Sequence, residues 1–423
     1  MKYTDLGRDE LLTLQKELLE EYEAIKSKGL SLDMSRGKPN KAQLDLSNSM
    51  NDILQSDSDY RTDNGFDVRN YGIMDGISEC KKLFADLLGV KSENVIIFGA
   101  SSLNIMYDYI AQCMLFGASG CKPWSKVDDV AFLCPVPGYD RHFGILENMG
   151  IRMINIPMDE NGPDMDMIEE YIKNENVKGL FCVPKYSNPE GITFSDEVVK
   201  RFAALKPAAK DFRVMWDNAY IVHDCTETPD SLLNIFDEAA KAGSEDMFIE
   251  FVSTSKITFP GAGISALAAS ENNIKEIKKR MTAQIISHDK VNQLRHVRFL
   301  KNVEGINEHM KKHAAIIGPK FEAVLDGFKN NLDGLGIARW TKPNGGYFIS
   351  LYVMKGIAKE VGRLCKEAGV TLTNVGATYP YGIDPDDSNI RIAPSYPDID
   401  ELTQAVEVLC ICVRLDAVNK LLG

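Results

Sequence analysis

The sequence predicts an α/β protein with a mainly parallel sheet, helices on both faces of that sheet and a smaller α+β lobe. From about residue 75 onward, short apolar runs alternate with helical patterns, which is typical of a doubly wound sheet. After about residue 310 the pattern changes to a long helix, a glycine-rich strand, another helix and a last strand, which predicts the smaller lobe. The predicted strands of the sheet occupy residues 95–98, 129–134, 152–156, 179–183, 213–216 and 247–252.

The length of the chain also predicts two lobes. It has 423 residues, more than the roughly 250 to 300 at which a single hydrophobic core stops growing. We therefore expect residues 50–325 to form a large domain, and residues 1–49 and 326–423 to form a small one. Near the N-terminus, residues 9–27 have the leucine spacing of an amphipathic helix, and residues 34–39 are typical of a loop.

The charge and composition disfavour several functional classes. A formal charge of −13 opposes binding to nucleic acid or to anionic membranes, because both require a basic surface. No apolar run reaches the roughly 18 residues of a membrane span and no secretory leader is evident, so we expect a cytosolic protein that binds small molecules. The nine cysteines show neither a C-x-x-C pattern nor zinc spacing, which predicts reduced core residues and no metal site.

Lys256 follows the apolar run 247–252, at the point where a strand would end beside a cleft. A desolvated lysine in such a place has a lowered pKa, and its amine can form a Schiff base. A single lysine is more often a solvated surface charge. The polar residues that follow other predicted strands favour the reactive interpretation here.

Three of these polar residues could bind one aromatic ring. Asp217 follows the strand 213–216, at the sheet edge where open α/β proteins bind ligands, and its carboxylate could pair with a pyridine nitrogen. Asn188 and Tyr220 could donate hydrogen bonds to a phenolic oxygen of the same ring. Taken singly, a helix cap, an Asn-Pro turn and a core aromatic would be ordinary explanations for the three.

A small-residue segment follows the strand 95–98 and precedes a helical pattern. It consists of Gly99, Ala100, Ser101 and Ser102. Its backbone amides would form a helix N-terminus that binds an anion, and its two hydroxyls would add donors. A plain helix cap is the alternative interpretation.

Three further residues complete the candidate site. Tyr139 follows another predicted strand and could stack on a pyridine ring, while His142 is expected to contact Asp217 because no companion metal ligands are evident. Arg391 has a planar fork that matches a substrate carboxylate, with a surface salt bridge as the alternative. Together with Lys256, these residues supply what pyridoxal 5'-phosphate (PLP) requires of a protein. The sequence therefore predicts a PLP site.

Residues 261–266 match a different cofactor motif, the G-x-G-x-x-A fingerprint of dinucleotide-binding proteins. That fingerprint needs a tight turn from strand to helix, whereas here the strand ends near Ser253 and Pro260 intervenes. A dehydrogenase is therefore disfavoured. A non-catalytic ligand sensor of the kind fused to DNA-binding domains is also disfavoured, because no basic helix-turn-helix segment precedes the motifs.

With these motifs in place, the chain resembles the fold-type I PLP-dependent aminotransferases of class I. The resemblance covers nearly the whole chain, and both the order and the spacing of the motifs agree with that family. The matching motifs are Tyr71, 99–102, Tyr139, 188–191, 217–220, 253–256 and Arg391. Three segments, 35–39, 135–142 and 289–296, are more narrowly similar to the aspartate aminotransferases of type Ic.

The resemblance implies a large domain with a mainly parallel seven-stranded sheet, a smaller α+β domain, and roles for named residues. The implied cofactor-binding residues are Ala100, Ser101, Ser102, Tyr139, Asn188, Asp217, Tyr220, Ser253, Ser255 and Lys256. Lys256, Asp217 and Tyr220 would be the catalytic residues. Arg391, Asn188 and the backbone of Gly37 would bind substrate. Tyr71 would reach the phosphate in the partner subunit, which implies a homodimer with shared active sites.

One position departs from the family pattern. Many class I enzymes have a phosphate-binding arginine eight residues after the Schiff-base lysine, whereas this chain has Ile264 there. The phosphate would then depend on hydroxyls, on the helix N-terminus or on a cation from elsewhere. Lys290 and Arg295 are the candidate cations.

The implied reaction is transamination of a dicarboxylic amino acid, with L-aspartate and 2-oxoglutarate as the expected substrates of a ping-pong route. An aminotransferase for aromatic or alanine-type substrates, or a PLP lyase or decarboxylase, is the alternative, because the reaction depends on which bond at Cα lies perpendicular to the ring. The residue that binds the distal carboxylate stays open. Its candidates are Arg36, Arg141, Lys290, Asn292, Gln293 and Arg295.

Overall fold

The computed structural model describes residues 2–423. Its strands are β1 Leu32–Asp33, β2 Val95–Phe98, β3 Ala131–Val136, β4 Arg152–Asp159, β5 Gly162–Pro163, β6 Val177–Cys182, β7 Arg213–Asp217, β8 Phe248–Ser253, β9 Ser265–Ala269, β10 Ala338–Trp340, β11 Ile349–Val353, β12 Val370–Thr371 and β13 Asn389–Ile392. Its α-helices are α1 Arg8–Lys26, α2 Lys41–Asp45, α3 Ser78–Leu88, α4 Ser102–Phe116, α5 Asp140–Asn148, α6 Met165–Tyr171, α7 Asp196–Ala204, α8 Ile235–Ala242, α9 Glu271–Gln284, α10 Lys290–Leu300, α11 Val303–Leu332, α12 Ala358–Glu367 and α13 Ile399–Leu422.

The large sheet has the strand order β2-β9-β8-β7-β6-β3-β4-β5. Strands β3, β4, β6, β7 and β8 pair in parallel, whereas β9 is antiparallel to both of its neighbours. The mainly parallel sheet is therefore confirmed. The two-residue β5 pairs antiparallel with the end of β4 and adds an eighth strand to the seven expected.

The sheet is covered on both faces, because successive side chains of a strand point to opposite sides. On β3, Phe132 and Cys134 pack in the core beneath α4 and α5. The alternate residues Ala131 and Leu133 pack in the core beneath α6 and α7. Burial on both faces explains why a central parallel strand such as β3 is a continuous apolar run.

The smaller lobe has a core of its own, built from both ends of the chain. Strands β10, β11 and β13 form an antiparallel sheet, and β1 pairs with β12. Leu11 of α1, Phe328 of α11 and Leu409 of α13 belong to one buried cluster. We therefore propose the division expected from the sequence, with residues 50–325 in the large domain. The long helix α11 packs in both lobes, because its Met310 contacts a cluster of the large lobe.

Two sequence-based expectations bear on the cellular environment. Among residues 2–423, no helix is both long enough and apolar enough to cross a membrane. All nine cysteines are free thiols, and seven of them are buried. Cys121 and Cys225 are partly exposed, so these two differ from the core placement that was expected.

Candidate active site

A cavity of about 550 Å³ lies at the edge of the large sheet where the parallel strands end, and residues of both lobes line it. Most of the predicted site residues meet there: Gly37, Ser101, Ser102, Tyr139, Asn188, Asp217, Tyr220, Ser253, Ser255, Lys256 and Arg391. The backbone of Ala100 lies beside the cavity, since its carbonyl accepts a hydrogen bond of 3.0 Å from Ser255 Oγ. Tyr71 is not brought to the cavity of its own chain, and its side chain is 79% exposed.

Asp217 is the last residue of β7 and is almost completely buried. Its Oδ2 lies 3.0 Å from Nε2 of His142, and this confirms the predicted contact between the two. A carboxylate only accepts hydrogen bonds, so Nε2 carries the proton. Oδ1 is buried without any hydrogen-bond partner. Because buried polar atoms are rarely left unpaired, this atom is suited to a donor from a ligand in the cavity.

Lys256 lies three residues beyond the end of β8, on the same cavity wall as Asp217. Its Nζ is 4.8 Å from the ring centroid of Tyr220 and 5.9 Å from that of Tyr347. Desolvation lowers the pKa of Lys256, and the nearby charge of Asp217 opposes that shift. The amine is therefore more readily deprotonated than an exposed lysine, as a nucleophile or proton acceptor requires.

Serine hydroxyls near the start of α4 are held in place by hydrogen bonds. Ser253 Oγ donates to Ser255 Oγ at 3.1 Å, and Ser265 Oγ donates to the Gly99 carbonyl at 2.6 Å. The bond to Gly99, together with that from Ser255 Oγ to the Ala100 carbonyl, fixes the turn before α4, whose cap residue Ser101 makes no side-chain capping bond. The first backbone amides of α4 and the serine hydroxyls together form a site suited to an anion.

Arg391 lies on β13 and is nearly buried. Its Nη1 donates to Asp140 Oδ1 at 2.8 Å and to Asn188 Oδ1 at 3.3 Å, while its Nε donates to Thr373 Oγ1 at 3.3 Å. The Phe348 ring lies 5.0 Å from its guanidinium carbon. The guanidinium is thus held in one orientation at the cavity wall, which suits planar recognition of a carboxylate.

Gly37 lies in the loop that follows β1 and approaches Phe348 closely. A Cβ at this position would lie 2.3 Å from Cζ of that ring, so any other residue would have to displace the ring. Thr373 Oγ1, which receives the Arg391 bond, also donates to the carbonyl of Ser35 at 2.7 Å. The loop and the arginine are therefore fixed relative to each other.

The family model for aspartate aminotransferase matches residues 6–423, almost the whole chain. The chain belongs to the aspartate aminotransferase family. An aspartate aminotransferase of Corynebacterium glutamicum is 45% identical over 414 residues, which cover 98% of this chain and 96% of that protein. The crystal structure of an aspartate transaminase from Corynebacterium glutamicum has a TM-score of 0.97 and 44% identity, covering 100% and 99% of the two chains.

A more distant structure shows that the fold is shared beyond these relatives. It is an α-aminoadipate aminotransferase from Thermus thermophilus complexed with N-(5'-phosphopyridoxyl)-L-leucine. Its TM-score is 0.75 at 21% identity, and the match covers 96% of this chain and 95% of that one. The predictions of a fold-type I architecture and of an aminotransferase are confirmed by the family match and its close relatives.

The segment that matched a dinucleotide fingerprint has another structural setting in this aminotransferase. Residues 261–264 lie in the connection between β8 and β9, which are antiparallel neighbours. No helix follows them directly, so the strand-to-helix turn that the fingerprint requires is missing.

Ile264, at the position of the usual phosphate-binding arginine, is part of the buried core. Lys290 and Arg295 do not line the cavity of their own chain. Lys290 Nζ donates to Ser287 Oγ at 2.8 Å, and Arg295 Nη2 donates to Asn292 Oδ1 at 2.6 Å. Within residues 2–423, none of the three positions considered for the phosphate cation therefore brings a positive charge to the cavity of its own chain.

Three residues that contact Arg391 were not predicted from the sequence. They are Asp140, Thr373 and Phe348. Asp140 and Arg391 are 251 residues apart, and nothing in the spacing of the motifs indicates that the two meet. Asp140 did lie inside the 135–142 motif, between Tyr139 and His142, and this placement was the one available signal.

Proposed function

We propose that this aminotransferase uses PLP to move the amino group of L-aspartate to 2-oxoglutarate. The observation that carries the proposal is the unpartnered Oδ1 of Asp217, buried in the same cavity as Lys256. A carboxylate in that position suits a protonated pyridine nitrogen, and a desolvated amine in the same cavity suits an aldehyde. The serine hydroxyls and the α4 N-terminus suit a phosphate.

The residues of the cavity have distinct proposed roles. When bound, PLP supplies an electron sink that makes the Cα proton of the amino acid acidic. Lys256 then moves that proton as general base and general acid, while Asp217 stabilises the positive charge on the ring nitrogen. Arg391 holds the α-carboxylate. Burial raises the pKa of Tyr220, so its phenol stays protonated and remains a hydrogen-bond donor.

We predict that Asp217→Asn weakens PLP binding by about 10- to 100-fold, the effect of losing one charge-assisted hydrogen bond. The amide keeps the shape of the side chain and an acceptor for His142. The change in PLP affinity therefore reports the loss of the negative charge alone. The measurement is titration of the apoprotein with PLP, followed by absorbance. It reports cofactor affinity independently of turnover.

Glu250→Gln is the matched control for this variant. Glu250 is buried on β8, the strand next to β7, and lies outside the cavity. Its Oε1 accepts a hydrogen bond of 2.8 Å from Asn218 Nδ2. Burial raises the pKa of Glu250 to about 7, so near neutral pH the amide replaces a carboxyl group that is only partly ionised. PLP affinity should not change. Equal losses of PLP affinity in both variants would show that any buried carboxyl group is needed for folding. That result would contradict the proposed contact between Asp217 and the cofactor.

The relatives named aspartate aminotransferase support L-aspartate as the amino donor. The test is an absorbance spectrum of the purified holoenzyme during successive additions of L-aspartate and 2-oxoglutarate. Aspartate should convert the bound cofactor to its amino form and release oxaloacetate, and 2-oxoglutarate should restore the first spectrum. L-Alanine and L-tyrosine, added separately, test the alternative substrates.

Other results would direct the function elsewhere. A faster response to alanine or tyrosine than to aspartate would contradict the dicarboxylate assignment. Product formed from aspartate with no need for an oxoacid, together with release of ammonia or carbon dioxide, would indicate a lyase or decarboxylase. Failure to bind PLP at all would leave the non-catalytic sensor.

We also propose that the enzyme is a cytosolic homodimer in which Tyr71 of one subunit completes the phosphate site of the other. Tyr71 and Ile286 are large side chains that are 79% and 63% exposed, which supports a further contact surface. Neither Lys290 nor Arg295 lines the cavity of its own chain, which supports a contribution to the phosphate site from elsewhere. The cytosolic location stays a prediction from composition.

A further inference from the structure

A second cavity, of about 300 Å³, lies between the end of α3, the start of α8 and strands β7 and β8. Asp217 lines the active-site cavity, whereas its chain neighbours Trp216 and Asn218 line the second one. They face the other way because successive side chains of an extended segment point to opposite sides. Glu250 of β8, which lies beside Trp216 in the sheet, also lines this cavity. The two cavities share no lining residue, and we call the second one the Glu250 cavity.

The carboxyl group of Glu250 is buried without a positive partner. The residue is 4% exposed, and the one hydrogen bond to its carboxyl group comes from Asn218 Nδ2 at 2.8 Å. Desolvation raises the pKa of Glu250 to about 7, and this hydrogen bond is the only interaction that opposes the shift. Burial of a carboxyl group is costly unless a cation or several donors replace the lost water.

The other buried carboxyl groups among residues 2–423 are better compensated. Each of them has a basic side chain, a hydroxyl group or backbone amides beside it. They are Asp211 with Lys178, Asp217 with His142, Glu190 with Tyr352, Asp384 with the amides of Ser388 and Asn389, and Asp416 with Lys420. Glu250 differs from all five, because its only partner is a neutral side-chain amide.

The amide that contacts Glu250 is itself incompletely bonded. Asn218 is 3% exposed, and its Oδ1 has no hydrogen-bond partner. Buried polar atoms are rarely left unpaired, so this oxygen calls for a donor that the described chain does not supply. The Glu250 cavity therefore presents two adjacent acceptors, a carboxyl group and an amide oxygen, and both lack a donor with a positive charge.

The rest of the Glu250 cavity is apolar or already paired. Its apolar walls are Leu87, Leu88, Leu232, Leu233 and Ile235. Two charged side chains also line it, but Asp86 Oδ2 accepts from Lys82 at 2.8 Å and Lys185 donates to Asp224 Oδ1 at 2.8 Å. Neither pair contributes to the pKa shift of Glu250. The cavity is as large as the smaller sites that bind organic molecules.

We propose that the Glu250 cavity binds a small organic cation, whose N–H groups bond to Glu250 and Asn218 and whose apolar body contacts the leucine walls. The cation supplies the positive partner that every other buried carboxyl group finds within the chain or the active site. The inference goes beyond transamination, because this site shares no residue with the cavity of Lys256.

The experiment measures binding of benzamidine to the purified holoenzyme by calorimetry. Its planar amidinium can donate two parallel hydrogen bonds to a carboxylate, and it is not an alkyl amine that would react with the cofactor. Benzamide has the same shape without the charge, and acetamidine has the charge without the ring. Both should bind at least about tenfold more weakly than benzamidine. The PLP absorbance should stay unchanged, which shows that the probe lies outside the active site.

Glu250→Gln should weaken benzamidine binding at least about tenfold at pH 8.5, because it removes the charge-assisted hydrogen bonds. The pH dependence is a second readout. Only the ionised carboxyl group attracts the cation, so the association constant should rise about tenfold per pH unit below the pKa of Glu250 and level off above it. Glu250→Gln should remove that dependence. Leu232→Ala leaves the carboxyl group in place and should weaken benzamidine more than acetamidine.

Asp86→Asn is the matched control, because it removes a carboxylate of the same cavity that is already bound to Lys82. It should change benzamidine affinity by less than about threefold, as expected of an exposed ion pair. If the wild type binds no benzamidine, Glu250 is simply protonated beside Asn218 and the inference is wrong. It is equally wrong if Glu250→Gln binds as tightly as the wild type, or if Asp86→Asn loses as much affinity as Glu250→Gln. The proposed aminotransferase function stands in each of these cases.

Discussion

Lys256→Ala is expected to remove the visible absorbance of lysine-bound PLP and to lower kcat by at least about 10⁴-fold. A positioned acid–base group contributes up to about 10⁴-fold, and Lys256 additionally anchors the cofactor as proposed here. The ring of Tyr220, 4.8 Å from Nζ, offers no replacement amine. Steady-state transamination of L-aspartate and an absorbance spectrum of the same preparation together test this expectation.

Lys256→Arg is the control that separates charge from chemistry. Arginine restores a positive charge of similar reach, but its guanidinium stays protonated in proteins and cannot act as an amine nucleophile. It should be as inactive as the alanine variant. If Lys256→Arg recovered wild-type turnover, the lysine would be a simple counter-charge for Asp217, and the assignment of the reactive amine would have to move to another residue.

Arg391→Lys is expected to lower kcat/KM for L-aspartate by about 10- to 100-fold, corresponding to roughly 1.5–3 kcal/mol for a lost charged hydrogen bond. Lysine keeps the charge but loses the planar fork, the Nε bond to Thr373 and the stacking on Phe348. The loss should appear mainly in KM, because the α-carboxylate is bound before the proton moves. Steady-state kinetics at saturating 2-oxoglutarate measures the two parameters separately.

Asp140→Asn provides the companion measurement for the carboxylate site. Its Oδ1 lies 2.8 Å from Nη1 of Arg391, so the protein's own carboxylate occupies part of the fork that the substrate needs. An amide keeps an acceptor there but removes the competing charge. KM for aspartate should therefore not rise in this variant. A rise as large as that of Arg391→Lys would mean that the orientation Asp140 gives to the guanidinium matters more than the competition of its charge.

The parts of this site that follow strand ends could be predicted from the sequence. Asp217 and His142 are 75 residues apart, yet both were expected at the carboxyl edge of one parallel sheet, and they lie 3.0 Å from each other. The repetition of apolar runs and polar termini carries that information, because parallel strands bring their ends together. The serine segment before α4 was predicted for the same reason.

Other features have no local pattern that could reveal them. Strand β9 was missed because its alanine-rich sequence, Ser265–Ala269, has low β-propensity and is specified by its place between β2 and β8. The acceptors that Arg391 binds, Asp140 and Thr373, could not be predicted either. Hydrogen-bond occupancy depends on the packed structure and leaves no signature in residue spacing.

The core shared by the two ends of the chain has a consequence for biosynthesis. The last strand of the large sheet to be translated, β9, ends at residue 269. Leu11 and Leu18 of α1, in contrast, pack in a core that also includes α13, Ile399–Leu422. Helix α1 therefore waits for α13, which is translated much later. Domains fold as units during synthesis, so the large lobe forms while the polypeptide is still growing. The core of the lobe that carries Arg36 and Arg391 is therefore complete only once α13 has been made, and the cavity between the lobes is complete only then.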